Sequence, residues 1–75
     1  MIEEREIPQE WIEHVLQSRI FEEPDRHTPG AIRAYAPIAA FGNRVLRVVY
    51  VETESVIRVI TLFFDRRATR RMRRQ

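Results

Sequence analysis

The side chains best suited to chemistry in this 75-residue chain are arginines, with one histidine and two tyrosines close to them in the sequence. Guanidinium groups bind phosphates and stabilise negative charge that develops on a phosphoryl group, whereas histidine and tyrosine can transfer protons. This set would suffice for RNA cleavage without a metal, in which the ribose 2′-hydroxyl is the internal nucleophile. The candidates are His27, Tyr50 and Arg58 for catalysis, and Arg33, Arg47, Arg66 and Arg67 for binding RNA phosphates.

Each candidate also has a purely structural explanation. Arg33 would form an ion pair with Glu52, and the other arginines would be solvated strand residues. His27 would cap its own loop, which is bounded by prolines. The residue types alone leave these alternatives open.

Several other kinds of site are excluded by composition and spacing. The chain has no cysteine, which removes disulfides, a thiolate nucleophile and any cysteine-based zinc site. Its two histidines lie thirteen residues apart, without a metal-binding spacing. The two serines lack a Gly-x-Ser-x-Gly context, and two glycines are too few for a phosphate-binding loop. We expect neither a metal nor a cofactor.

Charge is distributed unevenly along the chain. All thirteen basic residues are arginine; eight acidic residues lie in the first 25 positions, and six arginines lie in the last eleven. Such a division favours a polyanion or an acidic protein as the partner. The N-terminus lacks the pattern of a signal peptide, and no apolar run reaches the length of a membrane span. We therefore expect a soluble, cytoplasmic protein that does not bind membranes.

The elements that must position these residues follow from hydrophobic periodicity. The apolar residues of residues 8–18 fall on one stripe, which predicts a helix. Residues 21–30 contain two prolines and a glycine and are typical of a loop. Residues 32–40, 44–52 and 55–64 then predict three strands, of which the second is central.

The resulting fold class is α+β, an N-terminal helix packed on a three- to four-stranded antiparallel sheet. A fourth strand would come from residues 2–7 or 20–22. One domain is predicted over residues 1–67, followed by a basic tail, residues 68–75, that is either a short helix or disordered.

Two turns set the predicted register of the strands. A two-residue turn at Gly42-Asn43 would pair Arg33 with Glu52 and Tyr35 with Tyr50.

A second turn at residues 53–54 would place Arg47 and Arg58 diagonally across one face of the sheet. A slip of one residue at that turn would separate these two arginines.

Three segments in this order carry a resemblance to a known family: Trp11–Leu16, Leu46–Tyr50, and Ile57–Thr61 followed by Asp65-Arg66-Arg67. In this combination the chain resembles the RelE-like toxin superfamily, most closely its BrnT-like members and related toxin-type small proteins. The resemblance implies an α+β domain, a metal-independent ribonuclease or translation-inhibiting activity, and neutralisation by a cognate antitoxin.

The resemblance extends to four arginines, Arg47, Arg58, Arg66 and Arg67, which would bind RNA. Members commonly begin with a strand that bears a histidine, whereas residues 1–6 are acidic and contain none. A catalytic role for an N-terminal histidine is therefore not transferred.

Two functional hypotheses result. The first is a toxin-type RNA-binding protein or metal-independent endoribonuclease. The second is a non-catalytic protein-interaction module, such as a small homodimer or an inactive toxin homologue, which binds its partner through a sheet edge or the helix.

Overall fold

The chain forms a helix, a four-stranded antiparallel sheet and a second helix, in a computed structural model that describes residues 7–73. The elements are α1 (Gln9–Ser18), β1 (Phe21–Pro24), β2 (Ile32–Ile38), β3 (Arg44–Thr53), β4 (Val56–Phe64) and α2 (Arg66–Arg73). The predicted α+β class with an N-terminal helix on an antiparallel sheet is confirmed. The fourth strand is β1; of the alternative strand at residues 2–7, all but Ile7 lie outside the described residues.

Helix α1 begins after Pro8, whose carbonyl accepts a hydrogen bond from the Trp11 backbone N–H at 3.0 Å. Its apolar stripe faces the sheet, and Val15 is completely buried there. At the other end Arg19 Nη2 donates to the Leu16 carbonyl at 2.7 Å, which satisfies one of the free carbonyls of the last turn. The helix is therefore held at both ends by local contacts and in the middle by the sheet.

The sheet is a meander in the order β1-β2-β3-β4, with β3 between β2 and β4 as predicted. Strand β1 occupies the start of the segment that the sequence predicts as a loop. It pairs with β2 only from Ile32 to Tyr35, so Pro37 lies beyond the end of β1. Proline is tolerated at that position because no strand lies beside β2 there on the β1 side, so the backbone N–H that proline lacks would have had no strand to donate to.

The two faces of the sheet differ. On the helix face, which α1 covers, a fully or nearly buried core is formed by Ile7, Val15, Ala34, Ala36, Ile38, Leu46, Val48 and Tyr50. Two alanines of β2 allow the helix to approach the sheet closely. On the other side, which we call the open face, the cross-strand neighbours of β1 to β4 are Phe21, Tyr35, Arg47 and Phe63 in one row.

The predicted register of the first hairpin is wrong. Arg33 lies opposite Val49 and Tyr35 opposite Arg47, because the connection is longer than two residues. A 3₁₀ turn, Ala39–Phe41, precedes Gly42 and Asn43, which do adopt positive φ angles of 65° and 58°. The turn dipeptide is therefore where the sequence predicts it, but the 3₁₀ turn shifts the pairing of the strands.

The second hairpin also differs from the predicted register. Its turn lies at residues 54–55, one residue later than predicted, and Thr53 pairs with Val56. A bulge then shifts the pairing opposite Val49 and Tyr50. Arg58 consequently lies opposite Val51, four residues along β3 from Arg47, a separation of about 13 Å. The two arginines share the open face but are not diagonal neighbours.

Within residues 7–73, neither helix has the length and hydrophobicity needed to cross a membrane.

Candidate functional site

A groove lies where the end of β4 meets α2 and the 3₁₀ turn. Its volume is about 560 Å³. The residues that line it are Ile7, Phe41, Arg44, Leu62, Phe63, Phe64, Asp65, Arg66, Thr69, Arg70 and Arg73. Four of these side chains are guanidinium groups and three are phenylalanine rings, and we call this site the α2 groove.

Helix α2 is attached to the sheet by Asp65 and Thr69. Asp65 caps the helix, because its Oδ1 accepts a hydrogen bond from the Ala68 backbone N–H at 3.0 Å. The Asp65 backbone N–H donates to the Val45 carbonyl at 2.9 Å, and Val45 N–H donates to Thr69 Oγ1 at 2.9 Å. The first two turns of α2 are therefore fixed to the beginning of β3. The predicted boundary between the domain, residues 1–67, and the basic tail, residues 68–75, falls inside this helix.

The arginines of α2 divide between two sides of the helix. Arg66, Arg70 and Arg73 follow the spacing i, i+4 and i+7, which places them on one stripe that lines the groove. Arg67 and Arg71 are exposed and lie outside the groove lining. The helix therefore presents part of its charge to the groove and part to solvent.

The groove is strongly basic. Among the described residues, four arginines line it and Asp65 is the single acidic residue of the lining, so these side chains carry a net charge of +3. Two of the arginines are held at the 3₁₀-turn end. Arg44 lies over the Phe41 ring, with Cζ 4.9 Å from the ring centroid, and Arg73 Nη2 donates to the Gly42 carbonyl at 3.5 Å.

Phenylalanine rings form the apolar part of the groove. Phe41 and Phe64 contact each other at a centroid distance of 4.7 Å, and both contact Trp11 of α1, at 5.8 and 6.1 Å. Phe63 points instead to the open face and is 39% exposed. One edge of the groove is therefore anchored in the core, and another offers an accessible ring.

Arg47 joins the groove to the open face. Its Nη1 donates to Asp65 Oδ2 at 3.3 Å, and its Cζ lies 4.3 Å from the centroid of the Phe63 ring. Its Nε is buried and has no hydrogen-bond partner within residues 7–73. Arg47 is thus a half-buried cation between a carboxylate and an aromatic ring, and its charge is partly neutralised.

Arg33 lies in a separate cluster at the other end of the open face. Its Nε donates to Asp25 Oδ1 at 2.7 Å, and its Nη1 donates to Glu23 Oε2 at 3.4 Å. The same Glu23 oxygen accepts a hydrogen bond from the Tyr35 hydroxyl at 2.8 Å. Two carboxylates against one guanidinium make this cluster net negative, so it does not attract phosphate by its charge.

The charges of this cluster alter the ionisation of its members. The hydrogen bond from Arg33 lowers the pKa of Asp25 to about 2, and backbone N–H groups of His27 and Thr28 act in the same direction. The carboxylate in turn raises the pKa of Arg33. Burial, and then the hydrogen bond to Glu23, raise the pKa of Tyr35.

The three candidate catalytic residues lie in different places. His27 is exposed in the β1–β2 loop, where its backbone N–H donates to Asp25 Oδ2 at 3.1 Å. Tyr50 is buried on the helix face, and its hydroxyl accepts a hydrogen bond from Arg19. Arg58 is exposed on the open face of β4. Tyr50 and Arg58 therefore face opposite sides of the sheet.

Of the four predicted phosphate-binding arginines, Arg66 lines the groove and Arg47 contacts it through Asp65. The groove arginines that sequence reasoning missed are Arg44, Arg70 and Arg73. The helical spacing of Arg66, Arg70 and Arg73 is visible in the sequence and would have identified that stripe. No comparable sequence signal relates Arg44 to α2.

Among residues 7–73, no group of three or more histidine, aspartate or glutamate side chains has the arrangement of a metal site. The chain matches no protein-family model, no curated protein and no solved structure. The resemblance to RelE-like toxins thus stays a prediction from the sequence, and functional inference depends on the α2 groove.

Proposed function

We propose that this protein binds single-stranded RNA in the α2 groove. The observation that carries the proposal is the combination, in one groove, of four arginines with phenylalanine rings. Proteins that bind single strands use cationic side chains for the phosphates and aromatic rings on which bases stack. The resemblance to RelE-like toxins is a second, independent reason to choose RNA.

Charge supports phosphate as the ligand of the groove. The side chains of residues 7–73 that line the groove carry a net charge of +3, whereas the Arg33 cluster has two carboxylates for one guanidinium. The Asp65 carboxylate, which also lines the groove, already accepts hydrogen bonds from the Ala68 N–H and from Arg47. The arginines of α2 and Arg44 would therefore meet the RNA backbone with little competition from the carboxylates that the structure describes.

Geometry supports a single strand over a duplex. A ring such as Phe63, 39% exposed at the rim of the groove, can stack only on a base whose face is accessible. In a duplex, base faces are covered by their neighbours. Binding alone is proposed, because the groove lining includes neither His27 nor Tyr50.

The salt dependence of binding to a short fluorescent single-stranded RNA, measured by anisotropy, tests the proposal. If the four groove arginines each neutralise one phosphate, the slope of log K against log salt is about −3 for a single strand. Exchanging Arg66 and Arg70 for glutamine should reduce the slope to about −1.4. The slope of log K against log salt for the wild type should stay the same when unlabelled duplex RNA is added as a competitor.

A matched control is available on the same helix. Arg67 and Arg71 also lie four residues apart on α2 but outside the groove. The double variant Arg67→Gln/Arg71→Gln has the same net charge as Arg66→Gln/Arg70→Gln and should keep a slope near −3. Equal losses in both double variants would show that binding depends on net charge and would refute a groove site, as would the absence of RNA binding by the wild type.

The aromatic part of the site needs its own test. Phe63→Ala should weaken RNA binding by about 1–3 kcal/mol through loss of base stacking. Phe21→Ala is the control, because Phe21 is similarly exposed, at 46%, but lies on β1 away from the groove. If both alanine variants bind RNA as the wild type does, the ring does not take part. A denaturing gel of the same RNA, run with a chelator present, tests for cleavage.

A further inference from the structure

Arg47 and Phe63 form a cation–aromatic pair on the open face of the sheet. They are direct neighbours across β3 and β4, and Arg47 Cζ lies over the Phe63 ring, 4.3 Å from its centroid. A guanidinium group is attracted to an aromatic face by the negative charge of the π system. One face of the Phe63 ring is therefore covered by a cation of its own chain.

The Phe63 ring separates Arg47 from the α2 groove. Phe63 is one of the residues that line the groove, whereas Arg47 is not. Although Arg47 covers one face of the ring, Phe63 is 39% exposed. The accessible face of the ring is therefore the one turned away from Arg47, towards the groove. A base that enters the groove meets this face.

The guanidinium of Arg47 is held in this place with incomplete hydrogen bonding. Its Nη1 donates to Asp65 Oδ2 at 3.3 Å, while its buried Nε has no partner within residues 7–73. An unpaired buried donor is unfavourable, so it requires an explanation. The contact with Phe63 provides one, because the guanidinium is placed to lie over the ring and its hydrogen bonds are incomplete there.

We propose that Arg47 is a positioning residue for RNA, which fixes the Phe63 ring so that one face is presented to a single base in the α2 groove. This inference rests on the proposed RNA binding and gives Arg47 a role other than the phosphate binding predicted from the sequence. The ligand is then a strand with one unstacked base beside the phosphates that α2 binds.

Charge supports positioning over phosphate binding for Arg47. The side chains of Arg47 and Asp65 are only 19% and 15% exposed, and their opposite charges balance. Asp65 also caps α2, because its Oδ1 accepts a hydrogen bond from the Ala68 N–H at 3.0 Å. One carboxylate thus fixes Arg47, and with it the Phe63 ring, relative to the helix that carries the groove arginines. Such preorganisation lowers the cost of ordering the site when RNA binds.

Two probes separate positioning from phosphate binding: a short fluorescent single-stranded RNA and an abasic strand of the same length. Arg47→Met removes the guanidinium but keeps a long apolar side chain. It should weaken binding of the RNA about fivefold, with no change for the abasic strand. The slope of log K against log salt should stay at about −3. Loss of a phosphate ligand would instead weaken binding of both strands and reduce the slope to about −2.

Arg58→Met is the matched control. Arg58 also lies on the open face, outside the groove lining and about 13 Å from Arg47, so this variant loses the same charge from the same face. It should bind both strands within about twofold of the wild type, because charges at this distance are screened. A double variant tests the path of the effect. Arg47→Met/Phe63→Ala should bind RNA as Phe63→Ala does, because Arg47 acts through the ring.

Arg47→Lys is the second variant, for use if Arg47→Met fails to fold in circular dichroism. Lysine keeps the charge opposite Asp65 but lacks the planar group that stacks on the ring, so it should also weaken binding of the RNA and leave binding of the abasic strand unchanged. Wild-type RNA affinity in the folded Arg47 variants, equal losses for the two strands, or additive losses in the double variant would overturn the positioning role alone. A wild type that binds no RNA would refute the proposed function, and the positioning role with it.

Discussion

Asp65 connects α2 to the sheet through both oxygens of its carboxylate, and removing it tests how the groove is built. Oδ1 accepts a hydrogen bond from the Ala68 N–H at 3.0 Å, and Oδ2 accepts one from Arg47 Nη1 at 3.3 Å. Two substitutions separate these contacts. Asp65→Asn keeps an oxygen that can cap the helix but removes the negative charge, whereas Asp65→Ala removes both.

The expected losses of stability follow from the two contacts. Replacing a helix-capping aspartate by alanine costs about 1 kcal/mol, and asparagine caps as well as aspartate. The side chains of Arg47 and Asp65 are 19% and 15% exposed, so their ion pair lies between a surface pair and a buried one, and its loss costs about 1–2 kcal/mol. We therefore expect losses of about 1–2 kcal/mol for Asp65→Asn and about 2–3 kcal/mol for Asp65→Ala.

Urea denaturation, followed by Trp11 fluorescence and by circular dichroism, measures these free energies of unfolding. A domain of this size has a total stability of about 4–11 kcal/mol, so both losses fall within a measurable range. Hydrogen exchange at the Ala68 amide adds a local measurement, since its protection should fall in Asp65→Ala and persist in Asp65→Asn. Glu13→Ala, on the exposed side of α1, serves as the control and should stay within about 0.5 kcal/mol of the wild type.

Equal free energies of unfolding for Asp65→Asn and Asp65→Ala would mean that the cap contributes nothing. If both variants matched the wild type within about 0.5 kcal/mol, neither contact would stabilise the fold, and the attachment of α2 inferred from Asp65 would be refuted. Loss of Ala68 protection in Asp65→Asn would likewise contradict the assignment of the cap to Oδ1.

Three further predictions concern the core and the Arg33 cluster. Leu46→Ala should lower the free energy of unfolding by about 2–5 kcal/mol in urea denaturation, because Leu46 is completely buried; a loss under 1 kcal/mol would mean that the site collapses around the cavity. Because the pKa of Asp25 is lowered to about 2, its contribution to stability is present above about pH 4 and is lost as the pH falls towards 2. Arg33→Gln should raise the pKa of Asp25, measured by NMR titration, and should weaken the dependence of stability on acid pH. An unchanged Asp25 pKa would contradict the pairing of Arg33 with Asp25. Because the pKa of Tyr35 is raised, its contribution to the free energy of unfolding is present below about pH 10 and is lost as the pH rises through the pKa of the folded state. Tyr35→Phe should therefore lose less stability than the wild type at alkaline pH, as measured by chemical denaturation. Equal losses in the two proteins would count against this prediction.

Much of the fold could be predicted from local patterns. The apolar stripe of α1, the three longer strands and the Gly42-Asn43 turn were each visible in the sequence, and the structure has them at nearly the predicted residues. Strand β1 was predicted only as an alternative. Its four residues include Pro24 and two glutamates, which are unfavourable in strands, and pairing with β2 overrides that preference.

The candidate site could be predicted in part. Arg66 was identified from its place after an apolar strand, and it lines the groove. Arg33 was assigned to phosphate, but it contacts Asp25 and Glu23, which lie eight and ten residues away along the chain. Nothing local to Arg33 indicates those partners, because they come from a strand and a loop that the register of β1 places beside it.

By itself, the sequence determined the helix α1, the three longer strands, and how charge is divided between the two ends of the chain. These properties depend on residues within a few positions of each other. The tertiary structure alone decided that Tyr35 lies beside Arg47, that Asp65 holds Arg47, and that Arg44 joins the arginines of α2. The physical reason is that one turn of 3₁₀ helix and one bulge set the register of the strands. Since side chains alternate between faces, each shift of one residue changes which charges meet.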